Sequence, residues 1–343
     1  MGYKLVERVK LVVLEDQRVY LVDDELLELE GCSEMGINAL KRLKNGCELE
    51  ALKDLLDEKE RRELLQLLAE NGLLRENWSN QYSDDIVEKQ IYYLEEFGSN
   101  PNILQHKLQQ ATVAIVGVGG VGAVILQHLV GAGIKSFILI DYDKVERHNL
   151  NRQFIYNSKQ LGMLKVEAAK EYIHQIDNNI RVNIYPVMID SVNSLSVLDG
   201  HNIDLLINAA DQPANLDEIL NEYSLKRRIP WVGASVGLHV GTWGPFIIPD
   251  KTMCMECFYR IENQQMDKLE YTIRERINPL IKASFGPTNT IISTFLAKDV
   301  ILYLATQDSI SSLQTRCEFD FRNLKMNRFR IAHLKPCSCW KEY

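Results

Sequence analysis

Between positions 117 and 122 the chain reads Gly117-Val118-Gly119-Gly120-Val121-Gly122, four glycines in six residues. Fixing a glycine costs backbone entropy, so such a run is expected where the chain must turn tightly or approach a ligand closely. An apolar run, Val113-Ala114-Ile115-Val116, precedes it, and an apolar helical pattern from Val121 to Gly131 follows. In the order strand, G-x-G-x-x-G, helix, backbone N–H groups and a helix N-terminus hold phosphate. Asp141 ends the next strand-like run, Phe137-Ile138-Leu139-Ile140, 19 positions after Gly122. A carboxylate there accepts hydrogen bonds from ribose hydroxyls. These features say nucleotide and leave NAD, FAD and ATP open.

Asp143 follows, then Asn149-Leu150-Asn151-Arg152-Gln153, Lys165 at a helix start, and Asn208-Ala209-Ala210-Asp211 at the end of a later strand. A dinucleotide enzyme has only a diphosphate to hold and little use for so many cations. A triphosphate that loses pyrophosphate develops charge, which Arg, Lys and a metal held by Asp stabilise. Singly, these are ordinary surface or strand-end residues. As an ordered set behind the glycine loop they point to ATP and Mg²⁺.

Two close cysteine pairs stand far apart in sequence, Cys254-Met255-Glu256-Cys257 and Cys337-Ser338-Cys339. Four thiolates suit a tetrahedral structural zinc that ties the C-terminal tail to its domain. Cys317 alternates within Thr315–Phe319 like a strand residue and is expected to pack, as are Cys32 and Cys47.

The elements that position these residues read as an α/β core, strands alternating with helices around a mainly parallel sheet. It is expected over residues 111–343, with strands at Val113–Val116, Phe137–Ile140, Val182–Val187, Leu205–Ile207 and Trp231–Gly233, and an apolar helix over Ile291–Leu304. Residues 1–77 carry a strand-like hairpin and three short helical patterns, the second over Leu49–Leu56, which suggests a small winged-helix-like domain. Residues 78–110 are expected as a linker with helices, polar over 78–86.

With 343 residues, 46% hydrophobic and 25% charged, the chain is globular, and its net charge of −8 gives no general attraction for nucleic acid or an anionic membrane surface. Acidic stretches at Asp23–Glu30 and Asp54–Glu60 also speak against a DNA-binding winged helix. No signal-peptide core or long apolar run is visible, so the expectation is a cytoplasmic protein with reduced cysteines, binding neither nucleic acid nor membrane.

The set Gly117–Gly122, Leu139-Ile140-Asp141-Tyr142-Asp143, Asn149–Gln153, Lys165, Asp211 and Cys254-x-x-Cys257 resembles the ThiF/MoeB/ubiquitin-E1 adenylating superfamily over roughly residues 86–340. The small domain placed before such a core resembles the branch that modifies ribosomally made peptides, which includes the microcin C and pantocin A biosynthetic enzymes. The resemblance implies a Rossmann-like ThiF/E1-type core and ATP-dependent activation of a carboxylate in a precursor peptide bound by residues 1–77. Dehydration or cyclisation would follow. Adenylation of a ubiquitin-like or sulfur-carrier protein C-terminus is the alternative. By position, the resemblance implies that Gly117, Gly119, Gly120 and Gly122 form the phosphate loop and Asp141 binds ribose. It puts Asn149, Arg152 and Lys165 on phosphates, Asp143 and Gln153 among the nucleotide-binding residues with Gln153 ordering the loop, and Mg²⁺ on Asp211. It implies zinc on Cys254, Cys257, Cys337 and Cys339, although Cys337-Ser338-Cys339 is C-x-C where the family has C-x-x-C. It implies a homodimer whose neighbour contributes an Arg-Gln pair; here the pair reads Lys89-Gln90, which keeps the charge and loses the bidentate fork. The charged run 258–282 corresponds to a crossover loop over the substrate. No cysteine stands out as a thioester former, which argues against a complete ubiquitin-type cycle.

Overall fold

The computed structural model of the chain describes every residue except 1, 17, 266–282, 309, 331–336, 338 and 340–343, together with the side chains of 263 and 265. The expected crossover loop therefore lies largely outside the described residues. The chain divides into two compact units, Met1–His106 and Lys107–Tyr343.

In the first unit, β1 (Gly2–Leu5) lies between two later strands, and β2 (Lys10–Val13), β3 (Val19–Val22) and β4 (Leu26–Leu29) form an antiparallel meander. Helix α1 (Glu34–Asn45) starts where the Ser33 hydroxyl accepts from the Gly36 N–H, and stops at Gly46, whose φ of +79° suits glycine. Short β5 (Cys47–Glu48) follows. The expected second helix is only a 3₁₀ turn, Leu49–Leu52. The reason is local: Asp57 begins α2 (Glu58–Glu70) with a capping box to Glu60, which leaves too few residues for a helix, and the turn still buries Leu52 and Leu56. β6 (Leu74–Glu76) returns to β1. The polar run after it is anchored, since buried Trp78 donates through Nε1 to Glu95 Oε1 at 2.7 Å. Helices α3 (Glu88–Leu94) and α4 (Pro101–Gln110) complete this part, and the boundary between units falls within α4.

The second unit is built on one eight-stranded sheet. Its first strands, β7 (Thr112–Val116) and β8 (Ser136–Ile140), are buried almost throughout, as strands covered on both faces must be. β9 (Arg181–Tyr185), β10 (Leu205–Asn208) and β11 (Trp231–Val236) extend a parallel array in the order β11-β10-β7-β8-β9. Three antiparallel strands widen it beyond β11: β12 (Val240–Trp243), β13 (Thr315–Asp320) and β14 (Lys325–Arg330). Periodicity revealed neither β12 nor β14, because short antiparallel strands read weakly. Helices α5 (Gly122–Gly131), α6 (Lys165–Ile176), α7 (Leu216–Arg227), α8 (Met255–Gln265) and α9 (Gly286–Thr306) flank the sheet; α9 packs on α5, β11 and β12. Chain order turns outward in both directions from the adjacent β7 and β10, so the crevice beyond their C-terminal ends is a topological switch point, where open α/β sheets bind ligands. Among the described residues no helix is long and apolar enough to cross a membrane.

Candidate active site

The glycine loop occupies that crevice. Gly117 has φ +89°, and a Cβ on it would lie 2.8 Å from the Ala209 carbonyl group. A Cβ on Gly122 would overlap the Gly117 carbonyl oxygen, so α5 can start so close to β7 only without a side chain there. Asp141, buried at the end of β8, accepts from the Val118 N–H at 2.8 Å and from the Asp143 N–H at 2.9 Å. It thus pins the loop, and each carboxylate oxygen keeps a lone pair for a hydroxyl donor. Tyr156 pins the same loop from below, its hydroxyl donating to Val118 O at 2.8 Å, and burial raises its phenol well above the usual range.

Next to the loop stand the cations. Lys165 opens α6 and is buried, with Nζ 2.7 Å from Asp143 Oδ2. Arg152 is held by the His148 carbonyl at 2.8 Å and Asn151 Oδ1 at 2.9 Å. Buried Asn149 caps this turn: its Oδ1 accepts from Glu146 N–H, and its carbonyl accepts from the N–H groups of Arg152 and Gln153. Gln153 is buried, and its Oε1 has no hydrogen-bond partner. An unpaired buried acceptor costs about 1–3 kcal/mol. Turning the amide over would present Nε2 as a donor, so the group fits a site that gains a ligand or water.

At the end of β10, Asn208 donates to Asp217 Oδ1 at 2.7 Å and accepts from the Ala210 N–H at 3.1 Å, which shapes the turn that carries Asp211. The Asp211 side chain is exposed and has no hydrogen-bond or ion-pair partner among the described residues. One free carboxylate suits Mg²⁺, which takes one or two protein carboxylates and fills its other positions from phosphate and water. Tyr259 on α8 donates to Asp217 Oδ2 at 2.9 Å, and burial raises its phenol far above the usual range.

Most of these groups line one cavity of about 760 Å³, a size typical of small-molecule sites, with Tyr156 and Tyr259 supporting its wall from outside the lining. Gly117, Gly119, Gly120, Asp141, Asp143, Asn149, Arg152, Gln153, Lys165 and Asp211 are on its wall; Gly122 lies behind it, opening α5. Lys89 belongs to the first unit, on α3, where its exposed Nζ pairs with Glu88 at 2.9 Å.

The four cysteines expected to hold a metal also come together. Their sulfurs all lie within 4.8 Å of one another, with Cys254–Cys337 and Cys257–Cys339 at 3.5 Å and Cys337–Cys339 at 3.3 Å. All four are free thiols. A tetrahedron of sulfurs at the usual ~2.3 Å from zinc has edges of about 3.8 Å, so the donor set fits the ion. The C-x-C spacing therefore does not prevent convergence of the four sulfurs.

The ThiF family profile matches residues 87–341. The chain belongs to the ThiF family. Yeast (Saccharomyces cerevisiae) adenylyltransferase and sulfurtransferase UBA4 is 34% identical over 210 residues, covering 57% of this chain and 46% of UBA4. The chain thus spans about half the length of the yeast relatives it matches. Among solved structures, Escherichia coli MccB with ATP superposes with a TM-score of 0.81 at 25% identity, covering 99% of each chain. The microcin C7 biosynthetic enzyme MccB in complex with N-formylated MccA gives 0.80 at 25% identity and 99% of each chain. The likeness to MccB thus extends over the full length, first unit included, and the ThiF-type Rossmann-like sheet is that of the second unit.

Several residues of this ThiF-family site were not legible as such. Tyr156 lies three positions beyond Gln153, with nothing in the sequence to direct its hydroxyl at Val118. Asp217 and Tyr259 are separated by 42 positions and meet only because α7 and α8 pack together. Asn289, in the first turn of α9, lies where a Cβ on Gly120 would meet its Nδ2 at 2.6 Å, and that glycine explains why the approach is open. Arg316 reaches the cavity from β13, where the sequence had singled out only Cys317, as a packing residue.

Proposed function

We propose that the chain is an ATP-dependent adenylating enzyme acting on a carboxylate of a ribosomally made precursor peptide. The observation that carries this reading is the single cavity joining the glycine loop, Asp141, Arg152, Lys165 and Asp211, in a chain that matches MccB along its whole length. Asp141 accepts from the ribose hydroxyls, and the loop's N–H groups hold the phosphates. Asn149, Arg152 and Lys165 also face the phosphates, with Gln153 and Asp143 beside them. Asp211 would hold Mg²⁺, which would supply positive charge against the phosphates. A carboxylate oxygen attacks the α-phosphorus, the bond from that phosphorus to the bridging oxygen breaks, and pyrophosphate leaves. Arg152 and Lys165 stabilise the charge gained by the departing group. An amide or amine of the same peptide then displaces AMP, giving dehydration or cyclisation.

In this reading residues 1–77 recognise the peptide, 78–110 connect, and 111–343 adenylate. The likeness of the first unit to that of MccB, solved with the MccA peptide, supports that division. The cysteine cluster holds a structural zinc that fixes the C-terminal tail, and free thiols suit the reducing cytoplasm. The enzyme works as a homodimer in which Lys89, with its side chain 87% exposed, serves the neighbouring site.

Exchange of labelled pyrophosphate into ATP tests the proposal. Exchange that requires peptide and vanishes in Asp211→Ala supports it; peptide-dependent ADP release without exchange would mean phosphorylation of the carboxylate instead. The 34% identity to UBA4 favours one second reading, adenylation of a ubiquitin-like or sulfur-carrier protein C-terminus. That reading requires exchange with a Gly-Gly-ended protein and none with peptide.

A further inference from the structure

Helix α9 reaches the cavity with its first turn. Its buried stripe, Asn289, Ile292, Leu296 and Val300, recurs at helical spacing and is apolar except at the end that faces the glycine loop. Asn289 is 5% exposed, yet it lines the cavity. Its Nδ2 donates to Ser284 Oγ at 3.1 Å, the one hydrogen bond of this side chain among the described residues. A carboxamide carries two N–H donors, so one remains unused. A Cβ on Gly120 would meet Asn289 Nδ2 at 2.6 Å and Arg152 Nε at 3.5 Å, so both nitrogens lie close to one point beside the loop. Arg152 spends Nη1 on His148 O and Asn151 Oδ1, and its Nε has no acceptor among the described residues. The Gly120 backbone is not in the left-handed region, so the close approach of the amide, not backbone strain, calls for glycine here. A Cβ on Gly286 would lie 3.0 Å from Asn151 O and 3.6 Å from Arg152 Cβ. The first turn of α9 therefore sits between the glycine loop and the turn that carries Arg152. Its N-cap, Phe285, offers no side-chain acceptor to the first N–H groups of the helix. On the same wall Gln153, 2% exposed, also has an unpaired amide oxygen.

Two unused donors that converge beside a phosphate loop suit an anion. Asp141, which takes the ribose in the adenylation reading, is hydrogen-bonded to the loop at Val118. Asn289 and Arg152 meet it at Gly120, farther along toward α5. The phosphates farther from the ribose are therefore the ones assigned to them. We propose that Asn289 is a further catalytic residue, which donates from Nδ2 to the outer phosphates of ATP beside Arg152. When the α-phosphorus is attacked and its bond to the bridging oxygen breaks, the electron pair goes to pyrophosphate. Asn289 and Arg152 then meet the charge that the departing group gains. This deepens the adenylation reading and rests on it.

The test binds nucleotides to the full-length protein without peptide. Kd values for ATP-Mg²⁺ and for AMP are measured by calorimetry on wild type, Asn289→Ala and Asn289→Asp, with thermal melts on the same samples. In Asn289→Ala the Kd for ATP is expected to rise roughly ten- to a hundredfold, while that for AMP stays within about twofold. Asn289→Asp should weaken ATP further, because a like charge then faces the phosphates. That variant keeps the shape of the residue, and the Ser284 hydroxyl can turn to donate to it, so it decides the question if Asn289→Ala fails to fold. A merely structural residue would move ATP and AMP together. Unchanged ATP affinity in both variants, or an equal loss for ATP and AMP, overturns the assignment and leaves adenylation standing. Pyrophosphate exchange with candidate peptides fails separately: no exchange with any peptide refutes the peptide reading, while a loss confined to ATP still supports the role of Asn289. A wild type that binds neither nucleotide refutes the ATP site itself, and the Asn289 assignment falls with it.

Discussion

The pair formed by Lys165 and Asp143 makes two opposite predictions from one salt bridge. The Lys165 side chain is 7% exposed and that of Asp143 is 48% exposed, with 2.7 Å between the charged atoms. Removing the lysine as Lys165→Met leaves a carboxylate that water can reach, so the stability loss should be at most about 1 kcal/mol. Removing the acid as Asp143→Ala leaves a buried ammonium without its partner, which costs about 3 kcal/mol, the low end for a broken buried pair because the cavity is open on one side. At ~2–4 °C per kcal/mol for a unit of this size, the midpoint should move little in the first variant and by about 6–12 °C in the second. ATP should narrow the gap, because its phosphates give the stranded ammonium a new partner. Catalysis should show the reverse order. Lys165→Met removes a donor aimed at developing charge and should slow pyrophosphate exchange by roughly 10²–10³. Thermal melts with and without ATP-Mg²⁺, and exchange rates on the same samples, measure both. If Lys165→Met kept exchange within about threefold of wild type, or lost as much stability as Asp143→Ala, Lys165 would be a packing residue and the phosphate role assigned to it would be wrong.

Gly122→Ala should fail to form the phosphate loop, because the added methyl overlaps the Gly117 carbonyl, whereas Gly119→Ala, with nothing nearer than Gln153 Nε2 at 3.7 Å, should fold and lose ATP affinity only; melts and nucleotide titrations separate the two. Chelation should release about one zinc per chain by elemental analysis and expose the C-terminal tail to protease, and Cys257→Ser should do the same without chelator. Burial pushes the Cys317 thiol up to about 11 from an ordinary value of 9.0, so the thiol favours folding below pH 9, and that contribution disappears as pH rises through 11. Stability curves from pH 8 to 11 should therefore fall less steeply for Cys317→Ala than for wild type; equal slopes would count against a buried neutral thiol. Tyr259→Phe should lower kcat with little change in ATP affinity, since it frees one oxygen of Asp217, which fixes Asn208 and with it the Asp211 turn.

The sequence by itself determined the parts of this protein whose physics is local. Four glycines in six residues between an apolar strand and an apolar helix admit few backbone paths, and the path seen has Gly117 at positive φ and Gly122 against a carbonyl. The buried parallel strands were legible because a strand covered on both faces must be apolar throughout. The capping box at Asp57 was also written locally, yet the pattern ahead of it suggested a helix where only a turn had room. What the tertiary structure alone decided are meetings between distant residues. Cys254 and Cys257 reach Cys337 and Cys339 across about eighty positions, and only the fold shows that a C-x-C pair can close the cluster. Asp217 meets Tyr259, Tyr156 meets Val118, and Arg316 enters the cavity from a strand in which the sequence marked only Cys317, for packing. Spacing in sequence records the period of one element, while the direction in which a side chain leaves that element, and what it meets there, is set by how elements stack.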